Sequence, residues 1–235
     1  VARDRDIQEV INYRNVIAYL DEVRVKVSLD RYSENILSKI HELTVDRILP
    51  KEKAGIYRTT QVVIKDSSTG EVTFRPPAAV EVPFQIEELV SWLNSDQASK
   101  HHPVLKAGIV HYELVRIHPF TDGNGRAARA MALLVLLSDG YDIKRFFSME
   151  EYFDRNSGAY YGALQHVVRG GHDLTPWFEY FTSGLSAELS RVKDQVLKLS
   201  RDLRLRGELG GQQVALTERQ IIILETMQAN DGRLT

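Results

Sequence analysis

Apolar residues recur at helical spacing along almost the whole chain and only one stretch interrupts them, so the expected fold is all-α, a helical bundle carrying one β-hairpin. The first periodic stretch, 7–27, runs through Val10, Ile11, Tyr13, Val16, Ile17, Leu20 and Val23, and a second covers 29–43. Over 55–77 the texture changes: Tyr57, Val62, Val63, Ile64, Val72 and Phe74 are β-formers, and the turn cluster 66–70 lies between them. Helical texture returns over 84–94, over 103–117 with Pro103 in the first turn, and over 124–137. Further helices are expected over 149–168 and from Thr175 onward.

Leu185, Leu189, Val192, Val196, Leu199 and Leu203 form a short heptad seam. It admits a homodimer contact or a helix packed on its own domain. Gly207, Gly210 and Gly211 break the pattern, which sets the expected division: a main domain over 1–206, a linker over 207–215, and the opening of a further unit over 216–235.

Composition narrows the function classes. Lys and Arg total 30 against 32 Asp and Glu, a net charge of −2 that provides no global field for a polyanion. Cysteine is absent, which excludes disulfides, thiolate catalysis and cysteine-ligated metal, and fits a cytoplasmic protein. The longest apolar run, 130–137, is far shorter than the roughly 20 residues a membrane span needs. No membrane partner is expected.

The chemistry concentrates in 118–129, His-Pro-Phe-Thr-Asp-Gly-Asn-Gly-Arg-Ala-Ala-Arg, at a junction between two helices. Gly123 and Gly125 around Asn124 permit close backbone approach, and amides at a helix start form a cup for anions. Arg126 and Arg129 share one face of the first turn, where cations are unfavourable unless a polyanion binds. Asp122 is the nearby carboxylate, and one carboxylate plus phosphate oxygens is a common way to hold Mg²⁺. His118 is the side chain that can take a proton near neutral pH. His101 and His102 are adjacent rather than at i, i+4 and carry no metal expectation; His111 is expected to pack beneath the site.

This segment resembles the signature of the Fic family (Fic/Doc), matching at every fixed position of His-Pro-Phe-x-(Asp/Glu)-Gly-Asn-Gly-Arg-x-x-Arg. Glu9-Val10-Ile11-Asn12-Tyr13 is similar to the opening helix of the family's larger members, and 55–58 leading to Pro76-Pro77 is similar to its hairpin, called the flap. The resemblance covers about residues 7–185. It implies a protein adenylyltransferase that moves AMP from ATP, as co-substrate, to a hydroxyl side chain of a target protein docked along the 57–77 hairpin. It implies His118 as general base, Asp122 as the Mg²⁺ ligand, Gly123, Asn124 and Gly125 as the anion cup, and Arg126 and Arg129 on the β and γ phosphates. It places Tyr160 and Tyr161 near adenine, of which one at most touches the base, since neighbours on a helix face different ways. The phosphorylating Doc branch carries a larger basic residue at the second glycine, so Gly125 favours AMP transfer.

Three further readings stay open: another nucleotide donor, removal of AMP, and a DNA-binding regulator, since 214–235 resembles the start of a winged helix. The family's inhibitory pattern Ser/Thr-x-x-x-Glu-Gly/Asn, whose glutamate pairs with the arginine at position 129, does not occur in the chain. The expectation is a glutamate of that kind upstream of residue 1.

Overall fold

The computed structural model describes residues 4–29, 31–65, 70–141, 152–153 and 157–208. Eight helices and one hairpin are described: α1 (Asp4–Leu29), α2 (Glu34–Thr44), β1 (Ile64–Lys65), β2 (Val72–Phe74), α3 (Val82–Leu93), α4 (Asp96–Ser99), α5 (Pro103–Ile117), α6 (Asn124–Ser138), α7 (Ser157–Arg169) and α8 (Thr175–Glu208). Packing divides the chain into two compact units, Val1–Glu188 and Leu189–Thr235. Helix α8 runs through that boundary and takes in Gly207, the first residue of the expected linker; the tail over 216–235 lies outside the described residues.

In the first unit α5 and α6 make the most extensive helix pair, α1 and α2 pack on α6, and α3 packs on α5. The apolar stripes of the sequence explain this arrangement. Ile36, Leu37 and Ile40 of α2, Ile86 and Leu89 of α3, and Leu134, Val135 and Leu136 of α6 are all buried. Each such side chain contributes roughly 1.5–3 kcal/mol when fully removed from water.

One stripe departs from the expected pattern. On α1 the buried apolar residues are Val16, Leu20, Val23 and Val27, while Ile7, Val10 and Ile11 are exposed. Continued toward the N-terminus at helical spacing, the inner face carries Asn12, Glu9 and Arg5 instead. The face turns polar because it leaves the core there and meets the 118–129 segment. Asn12 is buried, and its Nδ2 donates to Thr44 O at 3.1 Å and Asp46 O at 2.8 Å, holding the end of α2.

The hairpin is shorter than its sequence texture. Its strands pair antiparallel, Ile64 with Phe74 and Lys65 with Val72, with an irregular register between Ile64 and Lys65. The turn over 66–69 is outside the described residues. Side chains hold its base: Gln61 Nε2 donates to Pro76 O at 2.9 Å, and Arg58 reaches both roots.

Beneath the junction between α5 and α6 lies an aromatic cluster. His111 is fully buried, stacked on Trp177 at 4.9 Å between ring centroids, with Tyr160, Phe153 and Phe181 around it. Trp177 Nε1 donates to Gly108 O at 2.8 Å, anchoring α8 on α5. Burial, with the Arg129 charge adding, holds the His111 imidazole well below its ordinary pKa. Burial is also the leading cause of lowered values at His41 and His118. The unfolded chain takes up protons at these imidazoles more readily than the folded chain as the pH falls through about 6.5, so acidification lowers stability, most of all through His111. We expect the melting temperature to drop between pH 7 and pH 5, and His111→Phe to flatten that slope. An unchanged slope in thermal melts of the variant would exclude His111 as a source.

His101 and His102 have structural places. His102 caps α5, its Nδ1 accepting from Val104 N at 3.3 Å, and His101 lies against Trp92. In the expected heptad seam Leu185 and Val192 are buried, whereas Val196 is exposed. Among the described residues no helix is long and apolar enough to cross a membrane.

Candidate active site

The junction between α5 and α6 is built by side chains that are not part of its chemistry. Helix α5 ends at Ile117, and His118 follows in left-handed backbone with φ 52°, its N–H donating to Leu114 O at 3.0 Å. A non-glycine residue holds that conformation only where its surroundings over-determine it. Phe120, two residues on, is fully buried and stacks on His41 of α2 with centroids 3.6 Å apart and rings 5° from parallel. His41 accepts at Nδ1 from Gly55 N at 2.8 Å, which leaves the ring proton on Nε2 to donate to Asp122 O at 2.9 Å. One buried imidazole thus ties α2, the turn at Gly55 that leads to the hairpin, and the motif segment.

Asn124 completes the frame. Its side chain is buried and turned inward, Oδ1 accepting from Phe120 N and Nδ2 donating to Phe120 O, both at 2.8 Å. Its contribution outward is therefore its backbone amide. Gly123 caps α6 with φ 77°, and a Cβ there would stand 2.7 Å from Val45 Cγ1. The Gly123 amide is engaged by Asp122 Oδ1 at 2.6 Å. The amides of Asn124, Gly125 and Arg126 precede the first intrahelical bond, from Ala127 N to Gly123 O at 2.9 Å, and are the donors a helix start offers to an anion.

The reactive groups sit on that frame. His118 Nδ1 lies 3.4 Å from Val115 O, a long contact that favours the proton on Nδ1 and leaves the Nε2 lone pair outward. Burial lowers its pKa most, the Val115 carbonyl opposes, and the Arg58 charge lowers it further; the imidazole is neutral at pH 7 and able to accept a proton. At Asp122 burial pushes the carboxyl up, but the Gly123 amide, the Arg5 hydrogen bond and the charges of Arg126 and Arg5 outweigh it and hold it below its usual value. The carboxylate is ionised and about 41% exposed.

Glu9 and Arg5 of α1 enter the same site, and the motif carries no sign of them. Glu9 Oε1 pairs with Arg126 Nη1 at 2.9 Å, and Arg5 Nη2 with Asp122 Oδ2 at 2.9 Å. The glutamate thus pairs with Arg126 rather than with Arg129, whose Nη1 lies 3.3 Å from where a Cβ on Gly125 would stand. The signal for both was the polar continuation of the α1 stripe at 5, 9 and 12. Because Glu9 holds a guanidinium that an anion would otherwise engage, Glu9→Gln should bind inorganic pyrophosphate several-fold more tightly, in line with about 1 kcal/mol for a partly buried pair. Calorimetry showing equal or weaker binding would contradict this.

Tyr160 and Tyr161 separate as neighbours on a helix must. Tyr160 is buried in the aromatic cluster, whereas Tyr161 is 55% exposed and lines a cavity of about 110 Å³. That cavity has Ile64 and Phe74 of the hairpin on one side and Tyr112, Val115, Tyr161 and Leu164 of α5 and α7 on the other. An apolar slot of this kind suits a planar heterocycle, with Tyr161 as the ring that can reach it.

Among the described residues no group of three or more His, Asp or Glu could hold a metal ion by itself. The donor set fits a cation that arrives with phosphate oxygens of its own, Asp122 supplying the protein's single carboxylate.

The Fic/DOC family profile matches residues 31–136, the span from α2 to the end of α6 that contains this frame and its motif. The chain carries a Fic/DOC family domain. Curated relatives include the protein adenylyltransferase Fic of Nematostella vectensis, 32% identical over 68% of this chain and 36% of its own length. Another is protein adenylyltransferase fic-1 of Caenorhabditis elegans, 31% identical over 80% of this chain and 34% of its own. Among solved structures, Fic-1 (residues 134–508) from C. elegans superposes with a TM-score of 0.67 at 28% identity, covering 85% of this chain and 54% of that one. The chain spans about a third of the length of the curated relatives it matches. The all-α Fic fold with one hairpin is therefore shared with proteins of this family.

Proposed function

We propose that this Fic domain is a protein adenylyltransferase, transferring AMP from ATP to a hydroxyl side chain of a target protein and releasing pyrophosphate. The observation that carries the reading is the junction itself: a neutral imidazole with its lone pair outward stands four residues before an anionic carboxylate and a helix start bearing two arginines. The names of the relatives support the same activity.

In the proposed step the target hydroxyl oxygen attacks the α phosphorus. The bond from that phosphorus to the bridging oxygen breaks, pyrophosphate leaves, and the hydroxyl proton goes to His118 Nε2. The amides at the start of α6 and the guanidinium groups of Arg126 and Arg129 orient the phosphates and neutralise charge. Magnesium, held by Asp122 and the phosphates, would neutralise further charge on them. Tyr161 and the cavity beneath the hairpin would take the adenine, and the hairpin would hold the target by strand addition. Gly125 favours AMP transfer over phosphorylation by the resemblance alone, since the phosphorylating Doc branch carries a larger basic residue at that position.

The assignment of Arg129 is testable by ligand length. Arg129→Ala should weaken ATP binding by roughly tenfold or more and AMP binding much less, since charge-assisted contacts to a γ phosphate exist only in ATP. Calorimetry with both nucleotides decides it, and equal losses would remove Arg129 from that role.

A further inference from the structure

Arg58 is almost fully buried, and among the described residues no carboxylate lies within ion-pair distance of it. Carbonyl oxygens satisfy it instead, and they come from three places. Nε donates to His118 O at 2.8 Å and Nη2 to Ile117 O at 3.3 Å, while the Arg58 amide donates to Pro119 O at 2.8 Å. Nη1 donates to Thr60 O at 3.2 Å on the outgoing root of the hairpin, and Nη2 to Pro77 O at 2.7 Å on the returning root. A buried cation is costly unless charge and hydrogen bonds compensate it. Here the C-terminal carbonyls of α5, the negative end of its dipole, supply both.

The consequence lies at the next residue. His118 holds a left-handed backbone whose carbonyl is gripped by the Arg58 fork, so the guanidinium helps fix the direction in which the imidazole leaves the chain. The same fork closes the base of the hairpin. Accepting the adenylyl-transfer reading above, we propose that Arg58 is a positioning residue that couples the hairpin to the general base, so the imidazole is aimed only while both hairpin roots are closed. The anion cup is framed separately, by Asn124, His41 and Gly123 on the α6 side. Loss of the fork should therefore slow transfer without weakening nucleotide binding.

Lysine retains the charge but cannot span four carbonyls in one plane, which makes Arg58→Lys the decisive variant. Label incorporation into the chain itself, from ATP labelled at the α phosphorus, gives the rate at saturating ATP and the half-saturating concentration in one assay. We expect the saturated rate to fall by roughly 10- to 100-fold, as for a misplaced catalytic group, with half-saturation unchanged. In a His118→Ala background Arg58→Lys should cause no further loss, because it acts through the imidazole. A wild-type rate in Arg58→Lys, a loss confined to ATP affinity, or an additive loss in that background would each overturn the proposal.

If Arg58→Lys proves too unstable to purify, hydrogen exchange in the wild type decides. The amides of Arg58 and His118 should open with one common free energy, and independent opening would contradict coupling. Undiminished self-labelling by His118→Ala alone would instead refute the adenylyl-transfer reading, so the two failures are distinguishable.

Discussion

His118→Ala should lower the rate of AMP transfer by roughly 10²- to 10⁴-fold while ATP still binds. The expected separation follows from the construction of the site. The imidazole stands at the end of α5, whereas the amides and arginines proposed to hold phosphate belong to α6. Histidine already holds the left-handed backbone, and alanine tolerates it less well, so part of the loss in His118→Ala comes from local destabilisation rather than from the missing base. His118→Asn separates the two, because asparagine tolerates that backbone and supplies no comparable base. Both variants should be equally slow, with the asparagine form the more stable in thermal melts. A fast His118→Asn enzyme would show that position 118 contributes geometry and not a proton acceptor.

Gly123→Ala should destabilise the fold by about 2–5 kcal/mol and abolish phosphate binding with it. Two costs add. The residue has φ 77°, where an L side chain costs about 1–2 kcal/mol. Its new Cβ would also lie 2.7 Å from Val45 Cγ1 and 3.5 Å from His41 Nε2, an overpacking worth roughly 1–3 kcal/mol. Relief requires moving the cap of α6 or the His41 bridge, and either displaces the anion cup. Gly125→Ala is the control: its Cβ would meet only the mobile end of Arg129, at 3.3 Å, and alanine favours the helix. Equal melting temperatures for the two variants would contradict the steric argument.

The motif was legible because its parts are contiguous: base, carboxylate, glycines and arginines follow within twelve residues, so spacing alone places them at one helix junction. Helix periodicity placed α5 and α6 within a residue of their ends, with Pro103 marking one start. The frame was not legible. Arg58, His41 and Asn12 act on backbone carbonyls or amides far away in sequence, and a carbonyl has no residue identity for a pattern to match. Glu9 and Arg5 were hidden because Val10 and Ile11 beside them suggested a buried apolar face, whereas α1 turns its polar side to the site there. Adjacency predicted that one of Tyr160 and Tyr161 faces inward; only the packing against His111 and Trp177 says which. The hairpin was overextended for a related reason, since Gln61 and Arg58 rather than a long ladder close its base.

The central claim is that this site moves the α phosphoryl group, with its adenosine, onto protein. Incubation with ATP labelled at the α phosphorus, in parallel with ATP labelled at the γ phosphorus, tests it most directly. The account predicts protein-bound label from the α position only, with pyrophosphate released and the signal lost in His118→Asn. Protein-bound label from the γ position, or α label that persists in His118→Asn, would contradict it.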